Sequence, residues 1–369
     1  MNPYISKLKL TNYRNYKSIQ LEFPAAPIAL VGVNGVGKTN ILEAISILQP
    51  GRGIRSARFS NMSYNNKGKF GIFAELISKE EKIEIGTEFE EKISRIRKIK
   101  INKSNFISQK ELINYLRVLF ITPLMDKIFI DPPSSRRKFF DRITWNFYPS
   151  HSVLIRAYEK LIKERNNLLK ENSSDVLWIE NIEKQLVEYG VNIIVNRDKV
   201  LNLLIKNLKC RERYEEVFPL ANIYLSGELE NVYKENAILD NFKKEYLKKL
   251  SLSRPSDFLK KTTNIGPHKT DLIVNYKTKN MPAYLCSTGE QKGLLISIVL
   301  AAVRSSIDFH GSSPILLLDE VFAHLDESKR EALSKEIIEL KAQAWMTSTN
   351  ASHYMTFGKK SCIINLNEP

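Results

Sequence analysis

The 369-residue chain predicts a mixed α/β fold in which both ends of the chain build one head and a helical section is inserted between them. Three observations lead there. An apolar strand, a glycine-rich loop and an amphipathic helix follow one another between Ile28 and Leu48. A second apolar strand ends in two acids, Asp319 and Glu320. Between them the hydrophobic period shifts from two residues to about 3.6 and then back again.

The elements follow in order. Tyr4–Leu10 and Ser18–Phe23 alternate apolar and polar residues on either side of a turn at Asn12–Asn15, the pattern of strands with one wet face. Ile28–Val31 is a short, wholly apolar strand, and Thr39–Leu48 predicts a helix. Phe70–Ile77, Lys82–Phe89 and Ile93–Ile101 predict an antiparallel sheet. Ser135–Phe147, His151–Lys170 and Val176–Cys210 then carry apolar residues at i, i+3 and i+4. The last helix runs about 35 residues, roughly 50 Å at 1.5 Å per residue, the dimension of an arm. Asn172–Asp175 supplies a turn and N-cap between two arm helices. After Gly266 strand and helix alternate again, with a buried strand at Pro314–Asp319 and a helix at Glu327–Lys341. The expected division is a head of residues 1–125 and 262–369 and a helical arm of residues 126–261.

Composition narrows the class. With 43% hydrophobic and 26% charged residues, the chain has enough apolar side chains for a sizeable core. No apolar run approaches the roughly 20 residues that span a bilayer, and the N-terminus lacks a signal-peptide core. Cys210, Cys286 and Cys362 stand far apart with no CxxC, which suits thiols in a reducing compartment. The expected location is therefore cytoplasmic, with no membrane partner and no dedicated metal cluster. Lys and Arg exceed Asp and Glu by 15. Such a surface attracts polyanions, nucleic acid first among them, although a Lys-, Asn- and Ile-rich composition also follows from an A·T-rich genome.

Three motifs carry chemistry. Gly32-Val33-Asn34-Gly35-Val36-Gly37-Lys38-Thr39 is GxxxxGK[ST], placed between an apolar strand and a helix. Its glycines let backbone N–H groups wrap a phosphate, and the helix N-terminus adds a positive dipole end. Lys38 neutralises β- and γ-phosphate charge, and Thr39 is a ligand for Mg²⁺. Ile315–Glu320 (ILLLDE) gives its acids separate roles: Asp319 holds Mg²⁺ and Glu320 orients or deprotonates the attacking water. The third motif, Ser287-Thr288-Gly289-Glu290-Gln291-Lys292, reads both as a capping box, with Glu290 three residues after Ser287, and as an anion-binding helix start. The order of the three resembles ABC-type ATPase heads, in which the signature Ser-x-Gly of one head closes on the ATP held by another, so a homodimer is implied. Ala323–Asp326 resembles the D-loop of those heads, with His324 read as an interface or solvated histidine.

Segments along the whole chain resemble the RecF family of bacterial recombination mediators. They include Leu10–Tyr16, Gly32–Ala44, Pro50–Gly53 with Arg55-Ser56, Ile121–Pro123, Arg136–Asp141, Lys163–Asn166, Gly266–Lys269 and Leu318–Asp326. The resemblance implies an ABC-type head with a helical second lobe and slow, ATP- and Mg²⁺-dependent switching. It also implies binding to duplex or gapped DNA. RecR and RecO would be partners in loading RecA, in support of the damage response. Two positions depart from the wider ABC pattern: no Gln stands at Leu119–Pro123, and no His ends Ala344–Thr347. Arg14 reads equally as a nucleotide contact and as a turn arginine. Arg97, Lys98, Lys100 and Lys103 read as a solvated strand face in preference to a DNA track. Arg136–Arg142 reads either as a lobe-interface cluster or as a DNA contact, and His268 as a turn histidine. The competing classes are another SMC-like head, of the OLD or long-coiled-coil type, a transporter ATPase, and a structural DNA-binding protein with a vestigial nucleotide site.

Overall fold

The computed structural model describes residues 2–94, 96–102, 104, 106–170, 176–210, 217–236 and 238–367. The turn expected at residues 172–175 and the lysine at position 103 lie outside these. The chain divides into two compact units, one drawn mainly from the residues through Asp126 and from Leu295 onward, the other from the residues between.

The first unit carries two sheets. Strands β1 (Tyr4–Tyr13), β2 (Tyr16–Glu22), β4 (Lys69–Ser78), β5 (Glu81–Glu90) and β6 (Lys98–Ile101) form an antiparallel sheet in the order β2-β1-β4-β5-β6. β3 (Ile28–Val31), β7 (Val118–Ile121), β11 (Ile315–Leu318), β12 (Ala344–Ser348) and β13 (Cys362–Asn365) form a parallel sheet in the order β13-β3-β12-β11-β7. Helices α1 (Lys38–Ile47) and α8 (Glu327–Glu339) belong to this unit. The parallel strands β3, β7, β11 and β12 are buried throughout, as strands covered on both faces must be. Their apolar residues meet Ile41, Leu42 and Ile45 of α1 in one core. Gln343 joins the two sheets. Its carboxamide accepts from Ile5 N (2.8 Å) and donates to the Ile5 and Pro24 carbonyls (3.0 and 3.1 Å), beside the register shift between Ile5 and Lys7.

The expected strand over Ile93–Ile101 is shorter, because residues 91–93 turn on Glu90. Arg97 also leaves the solvated face assigned to it. It is buried, donates to the carbonyls of Ile47 and Gln49 at the C-terminal end of α1, and lies 5.5 Å from the Phe59 ring centroid. A helix C-terminus is a favourable seat for a cation, although burial still pushes this guanidinium down to about 9.

The second unit contains α2 (Pro133–Phe147), α3 (His151–Lys170), α4 (Val176–Lys209), α5 (Glu228–Glu235) and α6 (Leu239–Lys260). It also contains a small antiparallel sheet, ordered β10-β9-β8, of β8 (Ala221–Ser226), β9 (Asp271–Tyr276) and β10 (Met281–Pro282). The sequence reading took this middle region as helical throughout. It missed β8, whose residues alternate buried and exposed, because one short period-two segment stands alone among helices. Residues 262–294, grouped with the head in that reading, cluster with this unit, since β9 pairs with β8. The boundary falls within α7 (Thr288–His310). By length and composition α7 is long and apolar enough to cross a membrane, with 72% of its most apolar stretch buried inside the protein.

Charge organises the interior of the second unit. Arg165, from the Lys163–Asn166 motif, is fully buried and donates to Asp257 (2.8 Å), Glu183 (3.0 Å) and Thr263 Oγ1 (2.9 Å). Arg254 closes on Glu183 from α6 (2.6 Å). Arg136 is bidentate on Asp271 (2.8 Å twice), so the Arg136–Asp141 motif ties α2 to β9. His268 sits in the Gly266–Lys269 turn with Nε2 on the Thr263 carbonyl (3.0 Å) and Nδ1 on the Tyr158 hydroxyl (3.0 Å). The carbonyl requires Nε2–H to donate, and because burial keeps the ring neutral, Nδ1 accepts from the Tyr158 hydroxyl.

Burial holds the His268 pKa down at about 4 against an ordinary 6.5. The unfolded chain therefore binds the extra proton first, and stability present above pH 6.5 is lost as pH falls toward 4. The loss is about 3 kcal/mol at most. Denaturation of the His268→Asn variant is expected to show a correspondingly flatter pH dependence over that window; an unchanged slope contradicts the assignment.

Candidate nucleotide site

The glycine-rich loop leaves β3 at Val31 and enters α1 at Lys38. Gly35 (φ 85°) and Gly37 (φ 113°) take left-handed conformations that curl the loop. Gly37 is also where the β1–β2 turn packs on the loop. A Cβ there would lie 2.4 Å from the Tyr16 hydroxyl and 2.6 Å from Asn15 Nδ2, both of which donate to the Val36 carbonyl (3.2 and 2.8 Å). On the other side, Asn367 accepts from Val33 N (2.9 Å).

Lys38 is buried, and its ammonium donates to the carbonyls of Gly32 (2.6 Å) and Val33 (3.0 Å). Burial lowers its pKa, while Glu320 and Asp319 pull it back up. Thr39 Oγ1 donates to Asp319 Oδ1 (2.9 Å), and Thr347 Oγ1 donates to the same oxygen (2.7 Å). Thr347 Oγ1 in turn accepts from Glu320 N (2.9 Å). Glu320 has φ 54°, an uncommon conformation for a side chain of its kind and one that ends β11 abruptly. Lys38, Thr39, Asp319 and Glu320 thus come together at the C-terminal ends of parallel strands, where open α/β sheets bind ligands. The donor set fits a nucleotide with its Mg²⁺: curled glycines and an ammonium suit phosphate, and a hydroxyl beside a carboxylate offers hard oxygen ligands.

Arg14 stands in the same β1–β2 turn. Its guanidinium is bidentate on Glu43, which is fully buried (2.7 Å twice), and donates to the Asn61 carbonyl (2.8 Å). In this arrangement Arg14 fastens the β1–β2 turn to α1.

Ser287 and Gly289 lie in the second unit, both exposed at the start of α7. The capping box is formed: Glu290 Oε2 accepts from Ser287 N (2.8 Å) and Oγ (2.9 Å), and Lys279 pairs with the same carboxylate. A Cβ at Gly289 would meet nothing within 4 Å, so the helix start is open. Asp326 caps α8 by accepting from Lys329 N (2.9 Å), and His324 is exposed.

Sequence reasoning missed Thr347, Asn15, Tyr16, Asn367 and Glu43 as parts of this site. Thr347 stands at the strand end where a switch histidine was sought. The histidine nearest in sequence is His353, whose Nδ1 lies 2.7 Å from Ser348 Oγ.

Fold and loop together define an ABC-type P-loop ATPase head. The family model described as RecF/RecN/SMC N terminal domain matches residues 4–366. The DNA replication and repair protein RecF of Rickettsia bellii is 38% identical over 367 residues, 99% of each chain. The structure of the recombination mediator protein RecF-ATPrS in the RecFOR pathway superposes with TM-score 0.84 at 23% identity, covering 95% of this chain and 94% of that one. An Smc head domain from Pyrococcus furiosus gives 0.55 at 18% identity, covering 98% and 93%. The chain therefore belongs to the RecF family of DNA replication and repair proteins.

Replacing Arg14 with Ala leaves Arg55, at 3.7 Å, as the one cation on the Glu43 carboxylate among the described residues. The expected loss of stability is about 3 kcal/mol, partly recovered by adding Glu43→Gln. Chemical denaturation of the two variants checks this, and an unchanged midpoint in Arg14→Ala contradicts it.

Proposed function

We propose that the chain is an ATP-gated DNA clamp. Two copies close when each binds ATP with Mg²⁺ between its own Gly32–Thr39 loop and the partner copy's Ser287–Gly289 helix start. The observation that carries this reading is one chain holding both halves of such a site: a formed phosphate loop joined to Asp319, and an open, capped helix start at Ser287.

Thr39 and Asp319 would hold Mg²⁺, which would neutralise phosphate charge. The chain's own residues do the rest. The loop N–H groups and Lys38 orient the triphosphate, and the Ser287–Gly289 start offers free N–H groups to its outer end. Glu320 orients or deprotonates the attacking water, and hydrolysis works as a release step. Closure brings basic surfaces onto duplex or gapped DNA, bound without base readout. RecR and RecO are the partners that this reading implies, in loading RecA at gaps and supporting the damage response, at the nucleoid. Thr347 at the strand end, in place of a switch histidine, favours this switch over a transporter motor.

Three variants test the reading, with ATP binding, dimerisation and turnover measured separately. Lys38→Met is expected to weaken ATP binding by about tenfold or more. Glu320→Gln is expected to accumulate the ATP-bound dimer with turnover largely lost. Ser287→Arg is expected to bind ATP normally and fail to dimerise. Normal turnover by Glu320→Gln removes the base assignment, and normal dimers of Ser287→Arg remove the shared site.

A further inference from the structure

Turnover in the reading above depends on where Glu320 points, and the side chain itself is left free. Among the described residues its carboxylate accepts no hydrogen bond, and the one bond given for Glu320 is that of its backbone N–H to Thr347 Oγ1 (2.9 Å). The backbone on either side is fastened by other means. Asp319 N donates to the Ile121 carbonyl (2.9 Å), which continues the pairing of β11 with β7. Two residues beyond Glu320, the Phe322 ring is fully buried, 5.4 Å from that of Tyr354 and 5.7 Å from that of Phe357. Arg330 Nε donates to the Phe322 carbonyl (3.0 Å). Between these two anchors Glu320 takes φ 54°, a conformation that persists in a residue with a Cβ only where its surroundings impose it.

Thr347 is what imposes it. The residue is fully buried in β12, opposite Leu30 of β3, and its branched Cβ restricts the rotamers open to its hydroxyl. A hydroxyl carries one proton. Since Oγ1 accepts from Glu320 N, that proton is the one donated to Asp319 Oδ1 (2.7 Å). Asp319 has a second donor in Thr39 (2.9 Å), whereas Glu320 N has Thr347 alone among the described residues. Removing the Thr347 hydroxyl therefore leaves Asp319 bonded and strands the Glu320 peptide. The phosphate loop is held by Asn15, Tyr16 and Asn367, which Thr347 does not touch.

We propose that Thr347 is a positioning residue for ATP hydrolysis. Through Glu320 N it fixes the direction in which the Glu320 side chain leaves the strand end, and through Asp319 Oδ1 it keys that direction to the carboxylate beside the phosphate loop. The inference rests on the reading of Glu320 as the residue that orients or deprotonates the attacking water, and it deepens that reading.

The test measures ATP affinity and steady-state turnover separately, on the full chain with Mg²⁺ and gapped duplex. Thr347→Val keeps the branched shape and removes the hydroxyl. Its kcat is expected to fall roughly 10–100-fold, the cost of a slightly misplaced group. Its ATP Kd is expected to stay within about threefold of the wild type, as for an interaction used in turnover and not in binding. Thr347→Ser restores the hydroxyl and is expected to recover most of the turnover. In the Glu320→Gln background, Thr347→Val is expected to cause no further loss, because its effect passes through Glu320. A wild-type kcat in Thr347→Val, with Glu320→Gln slow, overturns the proposal and leaves the reading of Glu320 intact. So does an ATP affinity that falls as far as kcat, or an undiminished further loss in the Glu320→Gln background. Normal turnover by Glu320→Gln removes the reading of Glu320 and this proposal with it. If Thr347→Val does not fold, Thr347→Ala replaces it in each comparison with the same expected outcomes.

Discussion

One oxygen organises the nucleotide site. Asp319 Oδ1 accepts hydroxyl hydrogens from Thr39 at the start of α1 and from Thr347 at the end of β12. Bonds to an ionised acceptor are worth roughly 1.5–3 kcal/mol each, and here they join three neighbouring strand ends, those of β3, β12 and β11. The backbone N–H of Glu320 follows, because it donates to the same Thr347 hydroxyl. The loop's opposite side is fixed independently by Asn15 and Tyr16 on the Val36 carbonyl. The phosphate-binding residues are thus preorganised by bonds that come from four separate parts of the chain.

The two units solve the problem of a stable interior differently. The first relies on apolar strands packed against α1, with Trp345 buried edge-on against Phe23 at 4.4 Å. The second threads buried charge through its helices, with Arg165, Glu183 and Asp257 all inaccessible to solvent. Such networks are expensive to desolvate and gain little net stability, but each lost partner strands a buried charge. They therefore enforce one arrangement of α3, α4 and α6. The family-like motifs Lys163–Asn166, Arg136–Asp141 and Gly266–Lys269, which carry no phosphate chemistry in the sequence, find their use in this interior.

Local pattern was legible in the sequence and tertiary partnership was not. Ile28–Val31 and His151–Lys170 have the bounds that their periodicity indicates, and the phosphate loop sits where its glycines and flanking elements put it. Thr347 escaped notice because a lone threonine at a strand end carries no signal until folding brings Asp319 beside it. Asn367 lies more than 300 positions from the loop it touches. Arg97 was misplaced for a related reason: alternation marks it as outward, and only the carbonyls at the end of α1 make its burial tolerable. Arg14 shows the converse, since its place in a family-like segment left its partner, the buried Glu43, unforeseen.

The central claim is that ATP closes two copies of the chain on DNA. Sedimentation velocity of the protein with a labelled gapped duplex, at fixed salt and with or without ATP and Mg²⁺, tests it most directly. The expected result is a DNA-bound dimer that forms only with the nucleotide. Identical mass and DNA binding in both conditions would contradict the claim.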